Sequence, residues 1–460
     1  MRWPLLRKSV SSAPGAAPAA SGSSTRDADS STIVKWPNIS RTGTTSSFTV
    51  LSSREGEPKM AQGAVEVQAG AGAKQADAEK AFLASFGKRF AWHGEKPEEM
   101  LARMQAVAAE LERQRKSAVD VVVSGSRGIS ALASAAKMSV ALPGGAQAKF
   151  LEQGVLREDE ENGQIYADLP LTEYAHHQVA ETCGIPWKYY EKVRSEAGAE
   201  LWAANVNQWL PSREKRLVRM VDGKVRALLS SNYKVVDNLD LLLLAAKETK
   251  DANGLPFRCD LSETRLHFAG VVPTIEEEVV PGDSVVPGFI LKNSEVGGGA
   301  VTVEPYAVRR MCMNGAITGD ALRKIHLGEE LALGEVLSAE TRALVHAALY
   351  GAVRDVIRSV LVAENFRETV KKMREAAGLN LGAKPVETVE AAVQAYFLNE
   401  TERQSLLAEY LGGKDFTAWG LANAFTATAK TLDADRSTEF EKIGGTLMTD
   451  KRKAEALVVA

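Results

Sequence analysis

Residues 286–315, VPGFILKNSEVGGGAVTVEPYAVRRMCMNG, constrain the fold more than any other stretch, because they read as one long β-hairpin. Val285 to Leu291 has the composition of a strand, Asn293 to Gly299 that of a polar, glycine-rich turn, and Ala300 to Val308 that of a returning strand rich in β-branched residues. The polar groups collect at the two ends. Lys292, Asn293, Ser294, Glu295 and Gly297 mark one end, and Arg309, Arg310, Cys312, Asn314 and Gly315 mark the other. Two readings stand side by side: turn residues that only close a hairpin, or groups that face a ligand.

The chain around this hairpin alternates irregularly between the two periodicities. Glu98 to Lys116 places Met100, Leu101, Met104, Val107, Ala108 and Leu111 at steps of three and four, an amphipathic helix whose acids lead and bases trail. Asp120 to Val123 starts a strand, and residues 124–170 read as short strands and loops broken at Pro143-Gly144-Gly145 and Asn162-Gly163. Residues 171–195 form a helix, a turn and a second helix: Thr172 caps the first, Gly184 suits the left-handed C-terminal position, and Pro186 begins the second. Two or three strands, RLVRMV, KVRALLS and YKVV, follow over 216–236 around the Asp222-Gly223 turn, with more at 257–259, 264–272 and 285–308. Helical spacing then takes over at 338–361, 366–376, 386–397, 400–410, 417–430 and 433–447. The expected fold is α+β: an antiparallel or mixed sheet core with long hairpins, packed by helices over 98–335 and followed by a helical region over 336–460.

Residues 1–59 are rich in Ser, Thr, Pro, Ala and Gly and show neither periodicity, so they are expected to be disordered. Their start is basic without an acid, as in a transit peptide, yet lacks the apolar face of one. Arg54-Glu55-Gly56-Glu57 is what purine-rich codons encode, a few codons before Met60. We therefore read 1–59 as a translated leader with the native start at Met60, to be checked by mass spectrometry of the natural protein, and 60–97 as a flexible N-terminal segment. Without the leader the chain loses eight bases and four acids, and its formal charge moves from -3 to -7.

Charge of this sign gives no global attraction for nucleic acid, so any phosphate contact has to come from a local basic patch. Three widely spaced cysteines, Cys183, Cys259 and Cys312, argue against a disulfide framework or zinc knuckle and for a reducing, cytoplasmic setting. The longest strongly apolar stretch, Leu239 to Ala246, is too short to cross a membrane. His176 and His177, adjacent on a helix, point about 100° apart, and neither a metal site nor a cofactor is expected.

The helix pair at 172–195 has the register of a helix-turn-helix, with Val179, Cys183, Ile185, Tyr190 and Val193 where such a motif buries apolar groups. Its second helix, however, opens with Trp187, Lys188 and Tyr189 rather than with base-reading side chains. Arg216, Arg219, Lys224, Arg226 and Lys234 lie on the strands of 216–236, on both faces unless a bulge re-aims them, and Tyr233 offers a stacking face beside Lys234. Enzyme motifs are scarce. No Gly-Lys-Ser/Thr phosphate loop, GxSxG or HExxH occurs, Cys312 near Arg309 and Arg310 has no partner histidine, and Glu276-Glu277-Glu278 reads as a solvated charge run.

Gly288-Phe289 through Asn293-Ser294-Glu295-Val296-Gly297, then Val303, Pro305, Arg309, Cys312 and Asn314-Gly315, resembles the phage- and plasmid-related family called domain of unknown function 932. LTEYAHHQVAETCGIPWKYYEKV, SSNYKVVDN and GLANAFTATAKTLDADRSTEFEK extend the resemblance over roughly 165–450. Ala300 after three glycines departs from it. The resemblance implies a mobile-element protein and, by association, DNA metabolism. The function expected is a non-enzymatic nucleic-acid binder that works as a homo-oligomer on single-stranded DNA. Lys292, Arg309, Arg310 and the basic residues of 216–234 would contact phosphates, and Tyr233 and Tyr306 would stack bases. The alternatives are an enzyme acting on nucleotides or nucleic acid, with Asn293, Glu295, Arg309 and Asn314 converging at the hairpin, and a phage assembly or host-interaction protein marked by an exposed apolar face on 417–447.

Overall fold

The computed structural model describes residues 97–458 apart from 135, 148–149, 151–154, 162, 212–213, 320–321, 325–338 and 383. The leader at 1–59, the segment at 60–96 and the start of the helical region at 336–338 therefore lie outside the described residues.

Helix α1 (Pro97–Ser117) carries Glu98 and Glu99 in its first turn and Arg115 and Lys116 in its last, so its charges oppose the helix dipole as the sequence predicts. Strand β1 (Val119–Ser124) follows, then β2 (Ile129–Leu132), β3 (Lys137–Ala141), β4 (Leu156–Glu158) and β5 (Ile165–Leu169). Helix α2 (Glu173–Thr182) is capped by the Thr172 hydroxyl, which accepts from the Ala175 amide. It ends at Gly184, whose φ of 65° is the left-handed value expected there. Pro186 precedes α3 (Trp187–Lys192), a π-turn continues to Ala197, and α4 (Ala199–Trp209) completes the group. These helices close over the four-stranded sheet, ordered β2-β3-β5-β4, around a core that includes Val140, Ala167, Val179, Tyr190 and Trp202.

Strands β6 (Lys215–Val221) and β7 (Lys224–Ser230) join β1 in a second sheet, β1-β6-β7. Asp222 and Gly223 both have positive φ, 54° and 68°, the pair that a tight hairpin between twisted strands requires. The third strand expected at YKVV does not form: residues 234–237 run without strand pairing into α5 (Asn238–Asp251).

The largest sheet has seven antiparallel strands. Its path uses β8 (Leu255–Leu261), β9 (Leu266–Val271), β11 (Asp283–Asn293), β12 (Val301–Arg309) and β13 (Asn314–Ile317). Strand β10 (Glu277–Val280) pairs with β11, and β14 (Leu322–Lys324) pairs with β12. The hairpin read from the sequence is β11–β12, in continuous register from Val285 opposite Arg309 to Lys292 opposite Thr302.

Helices α6 (Ala339–Val360), α7 (Ala363–Gly378), α8 (Pro385–Tyr396), α9 (Glu400–Gly413), α10 (Ala418–Thr428), α11 (Ala434–Thr449) and the short α12 (Lys451–Glu455) form the C-terminal layer. The fold is α+β. One face of the seven-stranded sheet is apolar, with Phe268, Phe289, Leu291 and Val303 packed with residues of α1, α5 and α6. The other face meets α11, which comes so close that a Cβ on Gly445 would fall 1.9 Å from Ile317 O. The apolar face on 417–447, whose exposure would mark the assembly reading, is turned inward: α10 buries Trp419, Leu421 and Phe425, and α11 buries Phe440 and Leu447.

Candidate functional site

Most of the basic residues expected to form a nucleic-acid surface are held by internal partners. Arg219 is buried on β6 and donates to Asp120 Oδ2 at 2.8 Å and to Glu295 Oε2 at 2.7 Å. Arg226, buried on β7, donates to Gln114 Oε1 at 2.5 Å and to Glu263 O at 3.2 Å. Arg216 pairs with Glu214 at 2.5 Å and Arg310 with Glu276 at 2.5 Å. Arg309 meets Asp283 at 2.7 Å and lies over the Trp419 ring. A guanidinium beneath a covering layer needs such partners, since an uncompensated buried charge costs several kcal/mol. Lys224 remains exposed and Lys234 is half-buried.

Tyr233 is not a stacking platform. Its hydroxyl donates to Ser294 O at 2.7 Å and accepts from Gly297 N at 3.2 Å, and burial raises its phenol above the ordinary range. Tyr306 is also buried, on β12. In the helix pair, Trp187 stacks on His177 at 3.4 Å and on Tyr190 at 5.5 Å, so the residue that would open a recognition helix is a packing element. The Glu276–Glu278 run is engaged rather than merely solvated: Glu276 pairs with Arg310, Glu277 with Arg367, and Glu278 Oε1 accepts from Gly282 N.

The motif residues of the hairpin tie it to its neighbours. Asn293 Nδ2 donates to Val236 O and to Asn238 Oδ1, each at 2.8 Å. Glu295 Oε1 accepts from Asn238 N at 2.6 Å, and Ser294 Oγ accepts from Gly298 N at 2.8 Å. Gly297 takes a φ of 84° in the turn. At the far end Asn314 Nδ2 donates to Asn423 O at 3.4 Å, and Cys312 Sγ lies 3.9 Å from Arg309 Nη1. Seven residue steps of paired strand separate these ends by about 23 Å. Asn293, Glu295, Arg309 and Asn314 therefore do not converge on one site.

What does converge is a set of polar groups on the sheet face beneath α11. Register places Asp260, His267, Lys292, Thr302 and Arg323 side by side across β8, β9, β11, β12 and β14. Arg258, Glu304 and Tyr306 point from the same face, because strand side chains alternate. Helix α11 answers with Asp435, Glu441 and Lys442. Tyr306 Oη donates to Glu441 Oε1 at 2.7 Å, Arg258 Nη1 donates to Glu441 Oε2 at 3.1 Å, and Arg258 Nε donates to Asp260 Oδ2 at 2.5 Å. Burial raises both the Glu441 carboxyl and the Tyr306 phenol. Glu304 lies between Lys292 and Lys442.

This polar seam opens at two places. The smaller opening, about 240 Å³, lies at the hairpin tip and is lined by Arg265, Lys292, Arg323 and Lys442 together with His267 and Asp435. His267 is fully buried; its Nε2 lies 3.3 Å from Asp435 Oδ1, too poorly directed for a full hydrogen bond, and its Nδ1 has no partner among the described residues. Asn293 Oδ1 and Thr302 Oγ1, which also line this opening, are likewise unpartnered. Burial lowers the His267 pKa, while the His267 ring and then Arg265 hold the Asp435 carboxyl down at about 2. The larger opening, about 540 Å³, lies on the other side of α11 beside Arg258, Tyr306 and Glu441. Gly315 serves it: a Cβ there would sit 1.6 Å from the Tyr306 hydroxyl.

Of this seam the sequence reading found Lys292, Asn293, Tyr306 and Gly315 and missed His267, Arg265, Arg258, Arg323 and the α11 residues. Its signal was present as a histidine on the alternation of LHFAGV, and as Asp435, Thr438, Glu441 and Lys442 at helical spacing. Among the described residues no cluster of His, Cys, Asp and Glu has the arrangement of a metal site. No family model matches the chain, and neither the curated proteins nor the solved structures contain a significant match.

Proposed function

We propose that the protein is a non-enzymatic nucleic-acid binder that holds the phosphates of a single strand at the hairpin-tip opening. One observation carries this reading. Four cationic side chains from four separate segments, Arg265, Lys292, Arg323 and Lys442, meet at one 240 Å³ pocket where buried His267, Asn293 and Thr302 atoms lack partners; Arg265 is paired there with Asp435, and Lys292 and Lys442 share Glu304, so two carboxylates stand against four cations. Backbone phosphates are bound by such convergent Lys and Arg groups. The basic positions first expected, Arg219, Arg226 and Arg309, are replaced in this role by residues nearer the tip, and Lys292 is retained. The resemblance to domain of unknown function 932 agrees with a mobile-element setting, and a homo-oligomer working along the strand belongs to the same proposal.

Fluorescence anisotropy with a labelled single-stranded oligonucleotide at two salt concentrations tests it. Affinity is expected to fall by about 0.7 log units per log unit of salt for each phosphate contact. Replacing Arg323 and Lys442 together by Ala should lower that slope by about 1.4. Absence of binding at low salt, or an unchanged slope in the double variant, would overturn the proposal. Light scattering with and without the strand reads the oligomer.

A further inference from the structure

The larger opening beside α11 has the properties of a small-molecule site. Its volume of about 540 Å³ lies within the range of ligand pockets. Met100, Phe257, Met313 and Leu432 give it aromatic, thioether and aliphatic walls suited to a flat ring. Its polar floor is the Glu441 carboxylate, fixed on one side by the Tyr306 hydroxyl and on the other by the Arg258 guanidinium. Each carboxylate oxygen thus receives one donor and keeps further acceptor capacity. The floor is supported from behind, because Asp260 holds Arg258 and the missing side chain at Gly315 leaves room for Tyr306.

We propose that this cleft binds a nucleobase-type heteroaromatic ring that turns two adjacent N–H donors to Glu441, as the edge of guanine does. Two parallel N–H···O bonds to a carboxylate satisfy the ligand edge without disturbing Tyr306 or Arg258, while the ring lies between the apolar walls. A base with a single donor there, or with a carbonyl facing the carboxylate, leaves an unmatched polar contact and binds more weakly. Nothing in this site uses the cations of the hairpin-tip opening, and a nucleoside carries no phosphate, so the two proposals stand or fall separately.

Isothermal titration calorimetry with guanosine, adenosine, cytidine and uridine tests it. Guanosine is expected to bind at least about tenfold more tightly than uridine, the discrimination that one bidentate pair provides. Ala434→Trp, a half-buried lining residue at the start of α11, should abolish guanosine binding while leaving the melting temperature near that of the wild type. Glu441→Gln, where it folds, should lose the guanosine preference. Failure of all four nucleosides to bind at millimolar concentration, equal affinity for all four, or undiminished guanosine binding by folded Ala434→Trp would overturn the assignment.

Discussion

His176 illustrates how burial sets the chemistry of a single residue. It lies on the buried face of α2 with Nδ1 2.8 Å from the Tyr190 hydroxyl, and burial, reinforced by Arg194 and His177, lowers its pKa from 6.5 to about 4. The unfolded chain therefore takes up this proton first as pH falls. The stability tied to neutral His176 is complete above pH 6.5, declines as pH falls towards about 4, and changes no further below that. Urea unfolding at about pH 7 and about pH 4.5 should show the wild type losing roughly 2–3 kcal/mol more than His176→Gln. Equal losses in the two proteins would mean that the imidazole is protonated inside the fold. The sequence indicated only that His176 and His177 point apart; that one is sealed beside Tyr190 and the other stacks on Trp187 depends on helices that meet in space.

Among the elements, α5 shows how the hairpin tip is anchored. Asp237 accepts from the amides of Leu239 and Asp240, and Glu295, from the hairpin turn, accepts from the amide of Asn238. Two carboxylates thus cover three of the amides that a helix start leaves unbonded. Their proximity has a cost: burial, and next the Glu295 charge, raise the Asp237 pKa. Asp237→Ala should cost about 1 kcal/mol, whereas Asp237→Asn, which keeps the cap and removes a negative charge, should be more stable than the Ala variant by about 1 kcal/mol. Urea midpoints in that order support the capping role; a more stable Ala variant would contradict it. Helices α6 to α11, α1 and the β11–β12 hairpin were legible because periodicity and cap residues are local. YKVV failed because its β-branched residues serve a connection whose Tyr233 is bound to the hairpin turn.

For the whole molecule, Arg219 is the residue through which separate parts are joined. It links Asp120 on β1 to Glu295 at the hairpin turn, and its charge is stabilised by both carboxylates although burial opposes it. Arg219→Met should destabilise the fold by about 3–5 kcal/mol, because Glu295 is then left buried without its partner. Lys224→Ala, at an exposed position on the same sheet, should change stability by no more than about 0.5 kcal/mol. Similar small effects from both would show that the Arg219 pairs contribute little, and would return Arg219 to the list of ligand-contacting candidates.

The sequence by itself determined the α+β class, the long hairpin, most of the helices and their caps, because each depends on interactions within a few residues of chain. Only the tertiary structure decided what the polar residues do. The side chains of β8, β9, β11, β12 and β14 become neighbours through register, and α11 reaches them from more than a hundred residues away in the chain. The same long-range packing set Arg219 and Arg309 against carboxylates and Arg226 against the Gln114 side-chain and Glu263 backbone carbonyls, since a charge enclosed by packing has to find its partner there. It also brought Arg265, Lys292, Arg323 and Lys442 together at the hairpin tip, and set Glu441 against the Tyr306 hydroxyl for which Gly315 leaves room.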